Sequence, residues 1–129
     1  MSYEPWGYVS FDTALSAHGV LDDAVHAIRV ATAGDDREQW LEGVGLVEWI
    51  ELPDDLLFGY GPGTALDFPD RRVAEPEKAL CDLLWLCESR GFAPPLESLR
   101  LDDLDRARLD AYAARMGLDL SILAGGEPF

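Results

Sequence analysis

The stretch AEPEKALCDLLW, Ala74 to Trp85, is where the sequence changes period, and its reading decides the fold. Ala79, Leu80, Leu83, Leu84 and Cys87 recur at i, i+1, i+4, i+5 and i+8, the apolar stripe of a helix packed on a core. Pro76 suits a first helical position, where no amide hydrogen is needed, and Glu75 and Glu77 lie beside the positive end of the helix dipole. The pattern stops at Arg90-Gly91, and Pro94-Pro95 forbids continuation. Lys78 and Asp82 stand i, i+4 and can pair, a contribution of roughly a few tenths of a kcal/mol if exposed. These polar residues therefore read as a way of starting and fixing a helix. A catalytic lysine–aspartate pair would need a facing cleft, for which the sequence offers no second component.

Upstream, the chain reads as short strands. His26 to Thr32 alternates and is rich in branched residues, and Val44 to Leu52 is a second strand ended by Pro53-Asp54-Asp55. Leu56 to Tyr60 and Thr64 to Pro69 read as short strands around a Gly61-Pro62-Gly63 turn, with Arg71 to Ala74 a further extended piece. Between the first two strands, Gly34, Asp35 and Asp36 mark a turn, and Arg37 to Leu41 reads equally as a helical turn or an irregular loop. Before them, Ser10 is placed to cap a helix from Phe11 to His18, with Gly19 as its left-handed exit and a turn at Leu21-Asp22-Asp23. A last helix is expected from Asp102 to Met116, with Leu109, Tyr112, Ala113 and Met116 on one face and Gly117 ending it. The order helix, strands, helix, helix gives an α+β fold: a small, mostly antiparallel sheet packed with about three helices.

At 129 residues and 48% hydrophobic, the chain fits a single domain with its core between about residues 8 and 123, able to bury roughly two-thirds of its unfolded surface. No apolar run approaches the ~20 residues that span a bilayer, and no basic start precedes an apolar segment, so a cytoplasmic location and no membrane partner are expected. Cys81 and Cys87 lie six positions apart on one helix, a separation of ~240° and ~9 Å that no disulfide spans. Buried, reduced thiols follow. With 25 acidic residues against 10 basic ones the net charge is −15, which repels phosphate backbones and steers a basic protein inward. Nine of the ten basic residues are arginine, so a GC-rich genome or a saline cytoplasm is a second reading of the acidity.

The remaining chemistry has plain structural readings. The doublets Asp22-Asp23, Asp35-Asp36, Asp54-Asp55 and Asp102-Asp103 sit at turns or a helix start, where aspartate caps amides, and none has the spacing of a calcium loop. His18 ends a helix, where an imidazole can bond terminal carbonyls, and His26 opens a strand. Ser10 and Ser16 lie near His18 with no Gly-x-Ser-x-Gly elbow. Gly59-Tyr60-Gly61-Pro62-Gly63 opens no helix and reads as a hairpin turn rather than a phosphate cradle. No catalytic, cofactor or metal-binding set is expected. Of Trp6, Trp40, Trp49 and Trp85, three read as core or rim. Trp40, in a polar segment with Asp35, Asp36 and Glu38, is the residue expected at a partner interface.

Two stretches, taken in this order, resemble a known family. Tyr8-Val9-Ser10-Phe11-Asp12-Thr13-Ala14-Leu15-Ser16-Ala17-His18-Gly19-Val20 is similar to the opening of the C-terminal domain of AbiEi-type antitoxins, which runs Tyr-hydrophobic-Ser, then Ala-Leu, then His-Gly. Leu57-Phe58-Gly59-Tyr60 and Ala74-Glu75-Pro76-Glu77-Lys78-Ala79-Leu80-Cys81-Asp82-Leu83-Leu84-Trp85-Leu86 resemble its Phe-Gly-Tyr and Pro-Glu-Lys-Ala-Leu-x-Asp segments. Leu104 to Gly117 fits its closing helix. The resemblance implies a non-enzymatic type IV toxin–antitoxin or phage-defence protein, the counterpart of a nucleotidyltransferase-like toxin. The family's winged helix-turn-helix has no place in the seven residues before the motif, so direct DNA binding is not expected. One alternative is a sensing or regulatory domain that works with a separate, DNA-binding winged-helix chain. The other alternative is a small ligand-binding domain or enzyme with a cleft near the 75–90 helix.

Overall fold

The computed structural model describes residues 7–22, 27–43, 45–63 and 68–124. The elements are β1 (Tyr8–Val9), α1 (Phe11–Ala17), β2 (Ile28–Thr32), β3 (Arg37–Leu41), β4 (Gly45–Glu51), β5 (Tyr60–Gly63), β6 (Phe68–Ala74), α2 (Pro76–Arg90) and α3 (Arg106–Met116), with short 3-10 turns at Asp54–Leu56, Leu96–Ser98 and Leu120–Ala124. The six strands form one sheet in the order β3-β4-β2-β1-β6-β5. Three pairings are antiparallel (β1 with β2, β3 with β4, β5 with β6) and two parallel (β1 with β6, β2 with β4), so the sheet is mixed within an α+β domain.

The central strands are buried on both faces. Val9, Val30, Val47 and Trp49 lie on one side of the register, Tyr8, Ala31 and Ile50 on the other, and all are buried. Helix α2 is buried almost all round, from Glu77 to Leu84 and again at Leu86 and Cys87, and α1 and α3 flank it. A helix in that position takes its charged residues into the interior with it. Its ends match the sequence reading: Pro76 at the first turn, and Gly91 at φ 74° after Arg90.

Chain entry into α1 is unusual. Phe11 has φ 57° although it is not glycine, a left-handed conformation costing roughly 1 kcal/mol or more for a bulky residue. Complete burial of its ring and the bond from the Ser10 amide to the Arg29 carbonyl (2.9 Å) hold it there.

The structure differs from the sequence reading at several places. Arg37–Leu41, read as a helical turn or loop, is an edge strand whose first four residues are exposed, so solvent on both faces erased the period-two signal. Gly61-Pro62-Gly63, read as a turn, is inside β5, which tolerates a proline because, among the described residues, it pairs on one side only. Leu56 to Tyr60, read as a strand, is a 3-10 turn followed by irregular chain as far as Tyr60. The last helix starts at Arg106 rather than Asp102, because Asp105 caps it by accepting the Arg108 amide hydrogen at 3.1 Å. The expectations for Trp6, Asp23, His26, Val44 and Thr64 to Asp67 lie outside the described residues.

Candidate functional site

The i, i+4 pair of α2 lies in the interior of the fold. Lys78 and Asp82 are both fully buried, with Nζ 2.5 Å from Oδ1. Helix α2 presents them to the sheet, and β1 answers. Lys78 Nζ also donates to the Tyr8 hydroxyl (2.7 Å) and to the Leu56 carbonyl (2.8 Å). Asp82 Oδ2 accepts from Tyr8 (2.9 Å) and from Ser10 Oγ (2.6 Å). Three ammonium hydrogens thus meet three acceptors, and the carboxylate meets three donors, which is the condition for keeping a charge pair out of water. Burial lowers the Lys78 pKa and raises that of Asp82, each partner opposing the other's shift. Burial, with the Asp82 charge beside it, drives the Tyr8 phenol far above its ordinary value, so it stays protonated and serves both partners.

The residues around the pair seal it. The Phe58 ring centroid lies 4.5 Å from Lys78 Nζ, and Tyr60 stacks on Tyr8 at 4.7 Å. Gly59, at φ 75°, passes so close that a Cβ there would sit 2.9 Å from Lys78 Cγ. His18 bonds the Ala74 carbonyl through Nε2 (2.8 Å), tying α1 to the end of β6 rather than to its own terminal carbonyls. Ser10, read as a capping side chain, makes no cap bond; its hydroxyl is turned to Asp82 instead. The three stretches singled out in the sequence, 8–20, 57–60 and 74–86, therefore converge on one sealed cluster.

Next to it, Glu77 is 4% exposed at its side chain and accepts the Asp105 amide hydrogen at 2.8 Å, fixing α3 against α2. Arg108 lies near Glu75 and Glu77, and Tyr112 donates to Glu75; burial and that carboxylate push the Tyr112 phenol up to about 12. Cys81 and Cys87 are free and buried, and burial pushes the Cys81 thiol up to about 12. Among the described residues, no three His, Cys, Asp or Glu side chains gather to hold a metal ion, and no helix is long and apolar enough to cross a membrane.

A cavity of about 500 Å3 does open beside the C-terminal half of α2, lined among others by Leu21, Arg29, Glu48, Leu83, Cys87 and Arg90. Within that lining, Arg29 bridges Asp12 (2.6 Å) and Glu48 (2.9 Å). Half-burial works against the Arg29 charge, and the two carboxylates more than offset it, so the guanidinium pKa rises. Lys78, Asp82 and His18 take no part in that lining.

The residues expected at a partner interface lie on the far edge of the sheet. Trp40 and Glu38 are on β3 and exposed, Trp40 by 73%, with Asp35 and Asp36 exposed on the lead-in. Asp36 accepts the Glu51 amide hydrogen (2.6 Å) and pairs with Arg90. Sequence reasoning missed the sealed cluster. The signal for it was present: the only lysine of the chain stands i, i+4 from an aspartate within a helix apolar on nearly every side. No protein-family model and no curated protein matches this chain.

Proposed function

We propose that the chain is a non-enzymatic, antitoxin-like domain that counteracts a nucleotidyltransferase-like toxin through protein–protein contact. The observation that carries this reading is the convergence of Tyr8, Ser10, Phe58, Gly59, Tyr60, Lys78 and Asp82 on one cluster. Residues that resemble the antitoxin family in three separate stretches act together, and they act by fixing the fold. Tyr8, Ser10, Lys78 and Asp82 are buried and hydrogen-bonded to one another, which supports a structural role for them. What remains for a partner is the exterior, and at −15 the exterior favours a basic one.

The test is co-expression with a nucleotidyltransferase encoded beside it, scored by growth, with pull-down at low and high salt. Rescue of growth and an association weakened by salt are expected, because attraction between exposed charges is screened beyond about 10 Å at 0.1 M. Neither rescue nor association removes the reading. The 500 Å3 cavity beside α2 favours a second reading, a ligand-binding or sensing domain. A metabolite screen by thermal shift, with Leu83→Trp filling the cavity, separates the two.

A further inference from the structure

The sheet has two edges, and they are built differently. At one, β5 is four residues long, contains Pro62 with no amide hydrogen to offer, and slips register against β6 between Pro62 and Gly63. Such devices stop a foreign strand from pairing. At the other, β3 has no proline and runs in unbroken register with β4, from Arg37 opposite Trp49 to Leu41 opposite Gly45. Among the described residues nothing pairs with its outer side, so a row of backbone N–H and C=O groups is left open there.

The side chains narrow what can use that row. Glu38 and Trp40 share a face with Glu48 and Leu46, while Arg37, Gln39 and Leu41 lie on the other. Trp40 is the most exposed large hydrophobic residue among those described. Between residues 35 and 42 stand four acids (Asp35, Asp36, Glu38 and Glu42) against the single Arg37. A second copy of the chain would bring the same acids against them and another −15 of charge, which opposes self-pairing.

The geometry points to β3 as a docking strand. A basic protein adds an extended segment to its outer edge, backbone to backbone, with arginine or lysine on the Glu38–Trp40 face and uncharged residues beside Arg37 and Gln39. A cation in that position meets the Glu38 carboxylate and the face of the Trp40 indole together. The identity of the partner as a toxin rests on the reading above; strand addition itself is tested without any toxin.

The probe is a capped heptapeptide alternating arginine and threonine, titrated into the isotope-labelled full chain. Its control alternates arginine and proline, with the same charge but without the alternate amide hydrogens. The arginine–threonine peptide is expected to bind at least about tenfold tighter, a difference of about 1.4 kcal/mol, and to slow amide exchange within Arg37–Leu41. Glu38→Lys is expected to weaken binding about tenfold at an unchanged unfolding midpoint. Equal binding of the two peptides reduces the surface to diffuse charge and overturns strand addition. So does protection at Tyr60–Gly63, self-association of the chain through β3, or no binding at millimolar peptide. Peptide binding without growth rescue removes the toxin and keeps the docking strand; rescue that survives Glu38→Lys, with no peptide binding, does the reverse.

Discussion

Two charged regions of this molecule stand at opposite extremes of solvation. Lys78 and Asp82 are fully buried, each hydrogen bond matched, with chain from β1, α2 and the segment before β5 closed around them. Asp35, Asp36, Glu38 and Trp40 stand in water on an edge strand and its lead-in. The same residue types do different work in the two places. Buried, a charge pair stabilises little relative to an apolar core but makes one arrangement of the surrounding elements much better than any other, since breaking it strands a charge. Exposed, charges contribute little to the fold and much to what approaches it.

The contrast is sharpest at Asp82. Asp82→Ala leaves the Lys78 ammonium buried without its counter-charge, and a loss of about 3–5 kcal/mol is expected in urea denaturation. A loss below about 1 kcal/mol would put the pair in the same class as a surface ion pair. Gly59→Ala comes next, at about 1–3 kcal/mol, because the new Cβ meets both the Lys78 stem and a left-handed backbone. Gly61→Ala, two residues on, meets nothing within 4 Å and is expected to change little.

A third difference lies in pH. The Cys81 thiol is raised from 9.0 to about 12 by burial. With a folded pKa above the unfolded one, the stability it contributes is complete below pH 9 and declines as pH rises toward 12. About 1 kcal/mol is lost between pH 9 and pH 10. Denaturation midpoints across that range should fall less steeply in Cys81→Ala; parallel slopes would place the thiol in contact with water. The smallest effect is expected at the edge, where Trp40→Ala should shift stability by no more than about 0.5 kcal/mol. A larger loss would mean that the indole packs on the domain rather than waiting for a partner.

Much of the scaffold is legible in the sequence because its elements carry their own periods. Helix α2 announces itself through the 3.6-residue stripe from Ala79 to Cys87, its proline start and its glycine stop; β2 and β4 do so through branched, apolar residues. Strand β3 does not, because exposure on both faces leaves Arg37-Glu38-Gln39-Trp40 without alternation. Strand β5 hides behind Gly61-Pro62-Gly63, whose turn-like composition is admissible only at a sheet edge. The buried cluster is illegible for another reason. Tyr8 and Ser10 meet Lys78 and Asp82 across 70 to 74 residues of chain, and only the folded sheet brings them together. The i, i+4 spacing gave the pair, but burial, which turns it from a surface ornament into a fixed point of the fold, depends on what packs against the helix.

Because Lys78 is the only lysine, one measurement reaches the buried cluster without ambiguity. The chain is treated with an amine-reactive ester at neutral pH, native and in denaturant, and modification of Lys78 is mapped by peptide mass. The sealed pair predicts an unmodified Lys78 in the native protein and full modification once unfolded. Native modification at the rate of an exposed lysine would contradict it.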